Sequence, residues 1–145
     1  MLVSHILKRK GSKVVTVDPS ETAIGLARLF RLNNIAAAVV VDGADMVAGI
    51  VSERDIVDRI AVHGDKALRM QVRDLMTSPP LVCKPDDSVQ HAMAVMTDRR
   101  VRHLPVMQDG ELHGIVSIGD VVKSHLDETR LEVNVLRDYA RVHAI

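Results

Sequence analysis

The sequence predicts a mixed α/β (α+β) fold made from two copies of one small unit, and three observations predict it. The phrase GIVSERD at residues 49–55 returns as GIVSIGD at residues 114–120. The run after Pro19 carries apolar Ala23, Leu26, Ala27 and Phe30, and the run after Pro85 carries Val89, Ala92, Met93 and Met96. Both follow the i, i+3, i+4, i+7 spacing of an amphipathic helix. Each helical run then leads into two short apolar runs split by an Asp-Gly pair, Asp42-Gly43 and Asp109-Gly110, which reads as a β-hairpin.

Taken in order, each half begins with a short helix, VSHILKRKG in the first and VRDLMTS in the second. A strand follows, then the amphipathic helix, the hairpin, and a second helix written ERDIVDRIAVHG or IGDVVKSHLDE. The two copies slip by one residue inside the hairpin turn, where a length change is tolerated best. A unit of about sixty residues buries too little surface to be comfortable alone. Two β-α-β-β-α units packed sheet to sheet solve that problem and leave clefts between equivalent surfaces. The expected boundaries are repeat 1 at 1–65, repeat 2 at 66–127 and a helical extension at 128–145. The extension carries Leu131, Val135, Leu136, Tyr139 and Val142 as an apolar stripe. It packs either on a second copy, giving a homodimer, or back on its own chain.

Composition narrows the function. One Tyr, one Phe and no Trp leave the core to aliphatic side chains. A net charge of +0 argues against nucleic-acid binding by counterion release, and bases have almost no aromatic platform to stack on. The apolar run at the start is too short for a signal peptide and no stretch approaches membrane-spanning length, so a soluble, cytoplasmic protein is expected. The histidines are scattered and Cys83 is the only cysteine, so neither a metal site nor a disulfide is expected. Cys83 reads as a small buried hydrophobe, and KRKGSK at residues 8–13 as an exposed loop, with reach to a phosphate or an acidic partner as the alternative. No nucleophile with a base and a third partner can be picked out, and there is no Gly-rich phosphate loop. An enzyme is not expected.

The repeated phrase carries the chemistry. Gly49 and Gly114 sit in or beside strands, where glycine lets another backbone or a ligand come close. Ser52 and Ser117 stand at helix starts, with Asp55 and Asp120 at the third helical position. Ser-x-x-Asp is a capping box, which is a purely structural reading. The same geometry also suits a nucleotide, because amides and a hydroxyl at a helix start favour an anion and a carboxylate can accept from two ribose hydroxyls. The two readings compete for one side chain.

The tandem GIVS-x-x-D motif, together with VRDLMTSPPLV, RRVRHLPVM and GIVSIGDVV, resembles a pair of CBS domains, the modules named after cystathionine β-synthase, over nearly the whole chain. The resemblance implies a stand-alone regulatory module that binds an adenosine ligand (AMP, ADP, ATP, NAD(H) or S-adenosylmethionine) and modulates an unidentified target protein. It implies ribose-holding roles for Asp55 and Asp120, with Ser52 and Ser117 near ribose or phosphate. Thr16 matches a site-lining threonine, whereas its counterpart Val82 has no hydroxyl. The basic pair before LPV, Arg102 and His103, with Pro105 beside it, would contact phosphate from across a cleft. In the first repeat Ala36 and Ala37 replace that pair, and Arg54 is the local cation. Phosphate contact from Arg102 and His103 of the second repeat, with Arg54 local, would favour the cleft containing Asp55. The resemblance thus implies a stronger site there and a weaker one at Asp120, which has fewer obvious cations. The alternative is an interaction module that binds no nucleotide and uses Ser and Asp only as caps.

Overall fold

The computed structural model describes residues 1–144, so Ile145, the last residue of the expected extension, lies outside the described residues. The first repeat runs α1 (Val3–Lys10), β1 (Thr16–Val17), α2 (Ala23–Asn33), β2 (Ala37–Val41), β3 (Val47–Ser52) and α3 (Glu53–His63). A short 3-10 segment, Gly64–Arg69, leads into the second: α4 (Val72–Leu75), α5 (Val89–Arg99), β4 (His103–Gln108), β5 (Glu111–Ser117) and α6 (Ile118–His143). The expected opening strand of the second repeat shrinks to one parallel bridge, Cys83 to Val106.

The two amphipathic helices start and stop by the same chemistry. Thr22 Oγ1 accepts from the Gly25 amide at 3.1 Å to begin α2, and Ser88 Oγ accepts from the His91 amide at 3.0 Å to begin α5. Such a side-chain cap contributes about 1 kcal/mol. Both helices end on a left-handed residue, Asn34 at φ 52° and Arg100 at φ 55°. Ala23, Leu26 and Phe30 of α2 are buried, as are Val89, Ala92 and Met96 of α5. Ala27 departs from the expected stripe and is exposed.

The hairpins differ as the slipped register requires. Asp109 and Gly110 both have positive φ, 52° and 76°, the two-residue type I′ turn that matches strand twist. The first turn is longer, with a register shift between Val40 and Val41. There the Asp42 carboxylate accepts from the amides of Ala44 and Met46, and Asp45 takes the positive φ of 58° in place of Gly43. In the first sheet β1 pairs parallel to β2 and β2 antiparallel to β3, with Ala37 opposite Ser52.

The chain forms two compact units that do not coincide with the stretches 1–65 and 66–127. One unit holds Met1–Ser12, Cys83–Gln108 and His113–Ile145, and the other holds Lys13–Val82 and Asp109–Leu112. Each repeat's opening helix therefore belongs with the elements of the other repeat. In the first unit α1 is tied by the Val3 amide to Asp87 O at 2.9 Å and by the Ser4 amide to Pro85 O at 2.8 Å. In the second, α4 is tied by the Val72 amide to Glu21 O at 2.7 Å, and Val72 and Leu75 join Val17, Leu26, Phe30 and Val51 in the core.

This exchange supplies what the strand glycines admit. What comes close is the exchanged segment. A Cβ at Gly49 would lie 2.6 Å from Thr77 O and 2.9 Å from Met76 Sδ, and one at Gly114 would lie 2.7 Å from Leu7 Cδ2. The leucine methyl can rotate aside, so Gly114→Ala should cost less stability than Gly49→Ala in paired urea titrations. A larger loss at Gly114 would contradict this contact analysis.

Cys83 is buried, and burial, with the nearby Asp87 charge, pushes its thiol up to about 12. The thiolate is the reactive form, so the native protein should not react with a disulfide reagent at pH 8 and should react fully once unfolded. Fast labelling of native protein would overturn this.

Candidate ligand site

Each unit presents one helix start of the same construction. In one, β3 ends at Ser52 and α3 begins; the Glu53 amide donates back to Ala36 O at 2.9 Å. In the other, β5 ends at Ser117 and α6 begins; the Ile118 amide donates to Arg102 O at 2.8 Å. Both serines are extended, with φ −126° and −99°, as an N-cap must be.

Both aspartates reach back to their caps. Asp55 Oδ2 accepts from the Ser52 amide at 2.8 Å and its hydroxyl at 3.2 Å. Asp120 Oδ2 accepts from the Ser117 amide at 2.8 Å, while Ser117 Oγ accepts from the Asp120 amide at 3.1 Å. The capping reading is thus correct, and it does not exhaust the carboxylates. Among the described residues one oxygen takes all these bonds, so Oδ1 of each aspartate stays available to a further donor. Capping and ligand binding compete less than one shared side chain suggests.

The two carboxylates differ in electrostatics. Lys10 Nζ lies 2.7 Å from Asp120 Oδ2 and 3.0 Å from Ile115 O. The expected basic loop is in fact the last turn of α1, with Gly11 following, and it delivers a cation to the aspartate that had seemed to lack one. Burial works against ionisation of Asp120, but the Lys10 ammonium and the Ser117 bonds outweigh it and hold the carboxyl below its ordinary value. Among the described residues Asp55 has no such ion pair; burial dominates over the Ser52 bonds and raises its carboxyl.

The sign follows from linkage. Ionised Asp120 contributes stability above the ordinary carboxyl range, and this is lost as pH falls through its lowered value. Ionised Asp55 costs stability at neutral pH, and the cost is relieved as pH falls through its raised value. A carboxyl-carbon NMR titration should place Asp55 above the ordinary aspartate value of 3.8 and Asp120 below it. The reverse order would contradict this asymmetry. At pH 7 Asp120→Asn should lower the melting temperature more than Asp55→Asn, because it leaves Lys10 without its partner.

The other sequence-derived residues lie on the strands, turns and helix starts of the two units. Thr16 is exposed on β1, one strand away from β3, and Arg54 is exposed in the first turn of α3. Ala37 is buried opposite Ser52. Val82 is exposed next to the Cys83 bridge. Arg102 is exposed, with its carbonyl on the first amide of α6, and it leads into β4 through His103. Pro105 is buried within β4, and its carbonyl accepts from the Cys83 amide at 3.0 Å. Arg102 and His103 therefore share a unit with Ser117 and Asp120. The sequence marks Lys10 as part of a basic stretch but cannot name its partner, which lies 110 residues away, beyond any local spacing.

A model of the CBS domain matches residues 3–62 and 72–127. The chain belongs to the CBS-domain family. A mitochondrial CBS domain-containing protein of Arabidopsis thaliana is 34% identical over 145 aligned residues, covering 94% of this chain and 70% of that protein. The solved structure of a CBS-domain containing protein from Agrobacterium tumefaciens is 40% identical with a TM-score of 0.83, covering 86% of this chain and 92% of that one. A CBS domain protein from Pyrobaculum aerophilum, solved in complex with AMP, is 28% identical with a TM-score of 0.73, covering 83% of this chain and 89% of that one. The CBS pair here is a mixed α/β structure with six helices and two small sheets among the described residues. No helix among them is long and apolar enough to cross a membrane. No group of three or more His, Cys, Asp or Glu side chains among them is placed to hold a metal ion.

Proposed function

We propose that this CBS pair is a regulatory module, not an enzyme, that binds an adenosine ligand such as AMP, ADP, ATP or NAD(H) and passes its occupancy to a target protein. The observation that carries this reading is the twofold occurrence of a helix-capping aspartate with one oxygen engaged and the other open. An open carboxylate oxygen beside helix-start amides suits the ribose hydroxyls and phosphate of a nucleotide. The AMP complex of the Pyrobaculum relative supports an adenosine ligand for this chain too.

In this reading Asp55 and Asp120 accept from ribose hydroxyls, with Ser52 and Ser117 close to ribose or phosphate. Thr16, Ala37 and Arg54 complete the surroundings of the first, and Arg102, His103 and Pro105 those of the second. The two sites are unequal. A ribose arriving at Asp55 supplies donors to a carboxylate that lacks an ion pair among the described residues, whereas the charge of Asp120 is already partly neutralised by Lys10 on Oδ2. The stronger site is therefore the one at Asp55.

A thermal-shift panel of AMP, ADP, ATP, NADH and S-adenosylmethionine tests the reading, with adenine-free nucleotides as controls. A ligand at a hundred times its dissociation constant stabilises the folded state by about 2.7 kcal/mol. The expected result is a shift with at least one adenosine compound and none with the controls. No shift with any of them would favour an interaction module whose Ser and Asp serve only as caps.

A further inference from the structure

The last turn of α1 is fixed against α6 by two basic side chains. Arg9 Nη2 donates to Ser124 Oγ at 3.1 Å, and Arg9 Nη1 lies 3.4 Å from Asp127 Oδ2. This sets the neighbouring Lys10 beside the start of α6. There its Nζ donates to Asp120 Oδ2 at 2.7 Å and to Ile115 O at 3.0 Å. An ammonium carries three donors. Among the described residues these two bonds are all that Lys10 makes, so one proton remains for a further acceptor. Space is open next to it: a Cβ added at Gly119 would meet no side chain nearer than Ser117 Oγ, at 3.6 Å.

The charges at the two helix starts are opposite in balance. Glu53, Arg54 and Asp55 open α3, two acids to one base. At α6 the acid of the first turn is Asp120; Lys10 bonds to it, and Arg102 places its carbonyl on the Ile118 amide. That makes two bases to one acid. A neutral nucleoside at Asp120 meets a carboxylate already partly neutralised and gains nothing from the ammonium. A nucleotide brings a phosphate one sugar ring away from its ribose hydroxyls, within the swing of a flexible four-carbon lysine stem.

We propose that Lys10 makes the Asp120 site select phosphate-bearing adenosine ligands over uncharged ones. This rests on the reading of Asp120 as a ribose acceptor and deepens it by naming the ligand charge that the site takes.

Calorimetry with AMP and adenosine tests the selection in the Asp55→Ala protein, which keeps only the second ribose-holding aspartate. That protein should bind AMP at least about tenfold more tightly than adenosine, the low end of what a hydrogen bond to a charged group is worth. Adding Lys10→Met should abolish the preference by weakening AMP while adenosine binding is kept, which also shows that the variant is folded. Adding Lys10→Arg instead should preserve it. Equal affinity for the two compounds before the change, a preference that survives Lys10→Met, or equal weakening of both compounds would overturn the role of Lys10 and leave the adenosine reading standing. Binding of neither compound by the Asp55→Ala protein would overturn it as well, and titration of the wild type then decides whether the adenosine reading falls with it.

Discussion

Gly49→Ala is expected to be among the most destabilising single-methyl additions in this chain, lowering stability by about 1–3 kcal/mol, the usual cost of overpacking. The methyl group would meet a backbone carbonyl, Thr77 O, which cannot rotate away. That carbonyl accepts from the Ile50 amide at 3.2 Å, and Thr77 returns a bond to Ile50 O at 2.9 Å. Relief of the clash therefore requires breaking the bridge that holds the segment after α4 against β3. Since α4 also supplies Val72 and Leu75 to the core, the disturbance spreads from the strand into the interior. Chemical denaturation reads the loss directly. An unchanged midpoint would mean that the exchanged segment is not seated as described.

The second large effect is on binding. Asp55→Ala should weaken the adenosine ligand by roughly ten- to a hundredfold, because a hydrogen bond to a charged group is worth about 1.5–3 kcal/mol. Its effect on the unliganded fold should be smaller, since the removed carboxylate is half-buried, has no ion pair among the described residues, and its ionised form is disfavoured there. Asp120→Ala should show the opposite balance, a smaller loss of total binding and a larger loss of stability, because Lys10 loses its anionic partner. Isothermal titration and thermal melts on the two variants separate these outcomes. Equal losses of binding for both would remove the inequality between the sites.

Features governed by neighbours in sequence were legible before the fold was known. The capping serines and aspartates, the periodic faces of α2 and α5, and the type I′ turn at Asp109-Gly110 all depend on residues within a few positions of one another. The first turn was only half legible, because the Asp42 carboxylate organises a longer loop and moves the left-handed residue from Gly43 to Asp45. The exchange of α1 and α4 was not legible, since each contacts residues of the other repeat far along the chain. Two readings stayed open for that one reason. At Gly49 and Gly114 another segment or a ligand could come close, and Met76, Thr77 and Leu7 are what they admit. Residues 8–10 were read both as the end of the opening helix and as part of an exposed loop, and Lys10 of that helix neutralises Asp120. The family resemblance supplied the ribose role for both aspartates; their unequal electrostatics needed the coordinates.

The central claim is that the open carboxylate oxygens at Asp55 and Asp120 receive an adenosine ligand. The most direct measurement is a calorimetric titration of the wild-type protein with AMP, ATP and NADH, after removal of any ligand carried through purification. The expected result is saturable binding of at least one compound in two unequal steps, with the tighter step lost in Asp55→Ala. Absence of binding for all three, or a tighter step untouched by Asp55→Ala, would contradict the account.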